Sequence, residues 1–319
     1  MTKHARDIVS RVRPTLVGRA RESELVVAAL LADRHVLLEG PPGTGKSTLL
    51  RQVADSLGVG FRFVEGNAEL TPARLVGGFD PSRVLQEGYS PEVFLDGPLL
   101  EAMRLGALLY VEEINRVPEE TLNVLITVMS EGEVSVPRLG IVRTAPGFRL
   151  VAAMNPFDAV GTARISGAIY DRVCRVSMGY QPFDEETAIV ERALVGIDSA
   201  PDTAWITKMV EVVRRTRQHS DLRVGSSVRG AIDAARVAAS LSSLRGVTCS
   251  DEASCLESAL VALSGRVRLR EGVSRTSDEV IEEIWRTVFE SPRGSTDSGK
   301  APAPQGAANA SAKAPQPTE

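Results

Sequence analysis

Gly40-Pro41-Pro42-Gly43-Thr44-Gly45-Lys46-Ser47 follows directly on the apolar run His35-Val36-Leu37-Leu38-Glu39 and runs directly into Thr48-Leu49-Leu50-Arg51-Gln52-Val53-Ala54, which reads as a helix. A G-x-x-x-x-G-K-[ST] segment between a strand and a helix commits the chain to a sheet that presents the loop at a strand's carboxyl end. Its glycines let successive backbone N–H groups turn toward one anion, the helix N-terminus adds its positive end, and Lys46 reaches the outer phosphates. Ser47 holds Mg2+ through its hydroxyl in such a loop. The other reading is a Gly/Pro turn that happens to contain a lysine, and both flanks argue against it.

The rest of the composition permits an enzyme without choosing one. A chain of 319 residues, 43% hydrophobic and 24% charged, can build a sizeable core and two domains. A formal net charge of -4 argues against a protein whose main task is coating nucleic acid, though a local basic groove stays open. Cys174, Cys249 and Cys255 form no C-x-x-C pair and fit a reducing compartment as small apolar residues. Met1 to Pro14 lacks an apolar h-region, and no later run approaches the roughly 18 residues of a membrane span. The expectation is a soluble, cytoplasmic protein.

Along the chain, a helix is expected over Glu22 to Ala32. Strands are expected at 35 to 40, Phe61 to Gly66, Ala107 to Val111, Phe148 to Met154 and Arg172 to Met178. Apolar strands separated by helix-bearing connections predict a buried parallel sheet. Two segments interrupt this alternation: Phe79 to Pro98, with three turn signals, and Gly132 to Gly147, with β-like runs around Pro137-Arg138-Leu139-Gly140. After Tyr180 the periodicity becomes helical, with helices expected near 185–195, 204–217, 227–239, 252–263 and 277–288 and N-caps at Asp184 and Ser277. Residues 291–319 hold no large apolar residue and read as a disordered Ala/Pro-rich tail.

Leu108-Leu109-Tyr110-Val111-Glu112-Glu113 is an apolar strand ending in two carboxylates. In a parallel sheet these acids and the phosphate loop both lie at the strands' carboxyl ends. Adjacent residues there point different ways, so one acid can face Mg2+ and the other an attacking water. A pair of solvated acids is the plainer reading.

The phosphate loop, Glu112-Glu113-Ile114-Asn115-Arg116, Ala153-Met154-Asn155-Pro156, Gly161-Thr162 ahead of Asp171-Arg172, and the segment Ala262 to Leu269 together resemble the MoxR branch of AAA+ ATPases over about residues 10 to 290. The resemblance implies an α/β, parallel-sheet AAA+ P-loop core over 1–180, carrying a helix-2 insert and a pre-sensor-1 hairpin. A small all-α lid domain over 181–290 would follow. It assigns Gly40, Pro41, Pro42, Gly43, Thr44, Gly45, Lys46, Ser47 and Thr48 to nucleotide binding, with the segment Val17-Gly18-Arg19, and Val17 and Gly18 in particular, along the adenine. Ser47 and Glu112 would serve Mg2+. Glu113 would polarise the hydrolytic water, Asn155 would act as sensor 1, and Arg229 as sensor 2. Arg172 would be the arginine finger that reaches a neighbouring subunit, with Arg116 and Arg164 as alternatives. The plainer readings are a turn amide for Asn155, a salt bridge to Asp171 for Arg172 and a surface arginine for Arg229.

One position departs from that pattern: Glu112 stands where the family usually has Asp. Octahedral Mg2+ tolerates misplaced ligands poorly, so ATP binding is expected with slowed hydrolysis. Phe79, Tyr89 and Phe94 lie in the projecting segments, where they either grip a polypeptide or pack their own hairpin. The resemblance further implies a homo-oligomeric, hexameric ring using ATP and Mg2+ to remodel a partner protein, often one with a von Willebrand factor A domain. A nucleotide-gated binding module with very slow turnover is the alternative. A nucleic-acid motor is the weaker one, since no recognisable nucleic-acid module or basic charge supports it.

Overall fold

The computed structural model describes residues 2–12, 16–156 and 166–290. Helices α1 (Thr2–Val12) and α2 (Ala20–Leu31) lead into β1 (His35–Glu39), α3 (Lys46–Leu57) and β2 (Phe61–Glu65). There follow α4 (Pro72–Val76), β3 (Gly77–Phe79), α5 (Pro81–Glu87), β4 (Phe94–Asp96), α6 (Pro98–Leu105), β5 (Leu108–Glu112) and α7 (Glu119–Glu131). Then come β6 (Glu133–Val136), β7 (Gly140–Arg143), β8 (Arg149–Met154), α8 (Gly167–Tyr170) and β9 (Val173–Ser177). The main sheet has the order β2-β5-β8-β1-β9, and each neighbouring pair is parallel.

Apolar runs such as Val36-Leu37-Leu38 fit this sheet because helices cover both of its faces. Successive side chains alternate across a strand, so Val36 and Leu38 join Leu49, Leu50 and Val53 of α3 on one face. Leu37 joins Leu99, Leu100 and Met103 of α6 and Leu125 of α7 on the other. Chain order reverses around β1, which lies between β8 and β9, and ligands of open α/β sheets bind at such a switch point.

Both interruptions project as ordered structure. Strands β6 and β7 pair antiparallel as a hairpin, and β3 pairs antiparallel with β4 around α5. Phe79 packs edge-on against Tyr89 and Phe94, at 5.1 and 5.0 Å between ring centroids. The Arg138 guanidinium of the hairpin turn lies 3.7 Å from the Tyr89 ring centroid, so the two projections touch.

The C-terminal part contains α9 (Phe183–Ala193), α10 (Thr203–Thr216), β10 (Leu222–Val224), α11 (Val228–Arg245), α12 (Glu252–Leu263), β11 (Arg268–Leu269) and α13 (Ser277–Phe289). Its own core gathers Met209, Val213, Ala235, Leu263, Ile281 and Trp285. An all-α lid needs correction, because β10 and β11 pair antiparallel. The N-caps also shift. Thr276 caps α13 in a reciprocal box with Glu279, which places Ser277 inside the helix. Asp184 lies in the first turn of α9 behind Pro182. Gly161, Thr162, Arg164 and the expected tail at 291–319 lie outside the described residues.

Candidate functional site

The phosphate loop is anchored at its start from both sides of β1. Gly40 N–H donates to the Met154 carbonyl at 3.2 Å, and Met178 N–H donates to the Glu39 carbonyl at 2.7 Å. Two glycines are required by geometry. Gly43 has φ 75°, and a Cβ there would lie 2.3 Å from Ser227 Oγ. Gly45 has φ 86° and caps α3 in the left-handed region. Lys46 Nζ donates to the Gly40 and Pro41 carbonyls at 2.8 and 2.9 Å, within its own loop. Burial pushes its ammonium down to about 8; nearby Glu112 opposes this, while Arg229 and Arg19 reinforce it.

Strand β5 delivers both acids beside this loop. Ser47 Oγ donates to Glu112 Oε1 at 2.8 Å and lies 3.1 Å from the hydroxyl of fully buried Tyr110. The longer Glu112 side chain therefore spans to the serine directly. A hydroxyl and one carboxylate make a hard oxygen donor set, which fits Mg2+, a cation that keeps several waters and takes one or two carboxylates plus phosphate oxygens. Among the described residues there is no group of three His, Cys, Asp or Glu side chains arranged for a metal. Glu113 follows with φ 51°, an uncommon backbone state for a residue with a side chain, and its Oε2 lies 3.0 Å from Arg116 Nε.

The remaining candidates divide into two groups. Asn155 follows β8 directly, level with Gly40 where β1 opens into the loop. Arg229, exposed at the start of α11, approaches the loop: a Cβ on Gly43 would lie 3.8 Å from its Cδ. A cavity of about 220 Å3 is lined by Val17, Gly43, Gly45, Thr48, Gln181 and Arg229, and so joins the connection from α1 to α2, the loop and the C-terminal part. Gly18 packs against Gln181 and Glu185. Arg172 instead turns back onto its own chain, bonding Ser130 Oγ and the Ala168 carbonyl, with Asp171 at 3.9 Å. Tyr110 and Gln181 were not among the sequence candidates; a hydroxyl within an otherwise apolar strand was the available signal for the first.

An AAA domain of the dynein-related subfamily matches residues 35–173, the stretch from β1 into β9. A Staphylococcus epidermidis protein, SERP0979, is 30% identical over 205 residues, which cover 63% of this chain and 76% of the relative. The chain belongs to the AAA+ ATPases. YeaC of Bacillus subtilis is 29% identical over 248 residues, 70% of this chain and 74% of YeaC. The AAA+ fold is shared with a candidate ATPase from Cytophaga hutchinsonii, at TM-score 0.51 and 19% identity over 90% of this chain and 94% of that one. It is shared also with a RuvB mutant of Thermotoga maritima, at TM-score 0.54 and 17% identity over 77% of this chain and 71% of that one. Among the described residues of this AAA+ chain, no helix is long and apolar enough to cross a membrane.

Proposed function

We propose that this AAA+ protein is a Mg2+-dependent ATPase of the MoxR type that works as a cytoplasmic homo-oligomeric ring, most simply a hexamer, and remodels a partner protein. The observation that carries the catalytic half is the 2.8 Å contact between Ser47 and Glu112, beside a buried Lys46 and next to Glu113. The loop N–H groups and Lys46 bind the phosphates, with Lys46 exchanging its two carbonyl partners for phosphate oxygens. Ser47 and Glu112 would hold Mg2+, which would supply charge neutralisation at the nucleotide's phosphates. Glu113, released from Arg116, orients the attacking water and accepts its proton, and Asn155 helps to place that water. Val17 and Gly18 close the adenine side of the cavity, and Arg229 brings the lid to the phosphates.

Arg172 belongs to a neighbour's site in this reading, so activity depends on assembly. Specific ATPase activity is expected to rise with protein concentration. Arg172→Ala should lower it by about 10^3 to 10^5, the range of trans arginines in phosphoryl transfer. Mixing Arg172→Ala with Lys46→Ala subunits should restore part of the rate, because each supplies what the other lacks. A wild-type rate in Arg172→Ala would remove the shared site. The partner-remodelling half draws on the family resemblance and on the two touching projections. A von Willebrand factor A-domain protein is the partner class to test, by its retention on ATP-loaded Glu113→Gln.

A further inference from the structure

Arg19 stands just before α2, and its side chain is only 4% exposed. A buried guanidinium must have its donors satisfied, and here they go to three separate parts of the chain. Nε donates to the Thr44 carbonyl in the phosphate loop at 3.0 Å. One terminal nitrogen donates to Glu22 Oε1 at 2.9 Å, and the other to the Gly179 carbonyl at 2.7 Å, in the connection from β9 to α9. Thr44 is fully buried, and its own hydroxyl donates to the Pro41 carbonyl at 3.0 Å.

A trans peptide is planar, with its C=O and N–H on opposite sides. Fixing the Thr44 carbonyl on Arg19 therefore fixes the Gly45 N–H in the opposite direction. Gly45 itself adds no restraint. It has no side chain, it sits at φ 86°, and glycine reaches that region and its mirror image with similar ease. The Gly45 carbonyl is held by the Leu49 N–H at 2.9 Å as α3 begins, and Arg19, from outside the loop, holds the carbonyl of the preceding 44–45 peptide.

We propose that Arg19 is a positioning residue of the nucleotide site: by holding the Thr44 carbonyl it keeps the Gly45 N–H aimed at the bound phosphates, and through Gly179 it ties that peptide to the connection leading into the lid. This rests on the reading of residues 40–48 as the nucleotide loop. Lysine cannot replace it, because a single ammonium cannot reach three diverging acceptors with the fixed geometry of a guanidinium fork.

The test compares ADP with AMP, which lacks the β-phosphate, on the full chain. Wild type, Arg19→Lys and Arg19→Gln are titrated calorimetrically, and the Gly45 amide proton is followed by NMR as ADP is added. The expected result is an ADP affinity lower by about 10- to 100-fold, the worth of one hydrogen bond to a charged group, with a clearly smaller loss for AMP. The Gly45 amide shift seen on ADP binding to wild type should be lost. Glu22→Gln keeps the guanidinium and loosens only one arm of the clamp, so it should give a smaller loss of the same selectivity even if both Arg19 variants fold poorly. Equal losses for ADP and AMP, or an unchanged Gly45 shift in the variants, would overturn the proposal while leaving the nucleotide site standing. Failure of wild type to bind ADP would overturn both.

Discussion

Replacing Glu186 tests what holds α9 against α10 beside the nucleotide cavity. This carboxylate lies in the first turn of α9 and is 1% exposed. It accepts hydrogen bonds from Arg214 at 2.9 Å and from both terminal nitrogens of Arg217 at 3.2 and 2.7 Å. Arg217 Nε also donates to the Ser226 carbonyl at 2.7 Å, and its guanidinium lies 3.8 Å from the Tyr180 ring centroid. Glu186→Gln keeps the volume and removes the charge facing two cations. Breaking a buried pair by removing one partner costs about 3 to 5 kcal/mol. Arg214, at 30% side-chain exposure, can rehydrate, whereas Arg217, at 11%, cannot, so the lower end of about 3 kcal/mol applies. At roughly 2 to 4 °C per kcal/mol for a chain of this size class, Tm should fall by about 10 °C, measured by scanning calorimetry of wild type and variant. ADP affinity should fall with it, because Arg214 also donates to the carbonyl of Gln181, at 3.1 Å, and Gln181 lines the cavity. A Tm loss of less than about 2 °C would refute the view that Glu186 sustains the largely buried Arg217 beside the half-buried Arg214.

Other perturbations follow from the same geometry. His35 Nδ1 accepts the Leu150 N–H at 2.9 Å, and burial holds its pKa below the ordinary value, with a hydrogen bond to the Met129 backbone opposing. The unfolded chain therefore binds a proton at His35 first as pH falls below about 6.5, and stability contributed by the neutral ring is lost in that direction. Urea unfolding at pH 7.5 and 5.5 should show a smaller pH dependence in His35→Gln than in wild type; identical slopes would contradict this. Glu112→Asp withdraws the carboxylate by about one C–C bond, roughly 1.5 Å, to the length usual in the family, and should hydrolyse ATP faster than wild type. An Asp variant no faster than wild type in a phosphate-release assay would remove the case that Glu112 slows the reaction.

The strands were legible because each is an apolar run bounded by glycine or a turn, and the sequence reading places all five main strands within about two residues of their positions. Their order was not legible, since it depends on pairings such as Phe61 with Leu108 and Val36 with Val151 that no local pattern records. The short strands β10 and β11 are three and two residues long and carry no periodicity. Thr276 and Ser277 both cap helices well, and only the Thr-x-x-Glu spacing to Glu279 separates them. At the site, Ser47 and Glu112 are recognisable as parts of one motif set. The clamp of Arg19 on Thr44 and the hydroxyl of Tyr110 beside Ser47 join residues 25 and 63 positions apart through tertiary packing. In Asp184-Glu185-Glu186 three acids look alike, and only the fold selects Glu186 for burial between two arginines.

The central claim is that Ser47, Glu112 and Glu113 act on a nucleotide held by Lys46. It is tested most directly by measuring steady-state phosphate release and ATP binding on assembled wild type and Glu113→Gln. Wild type should release phosphate only with Mg2+, Glu113→Gln should lose about 10^2 to 10^4 of that rate as expected for removal of a general base, and the variant should keep its ATP affinity. Equal release by the two proteins would contradict it.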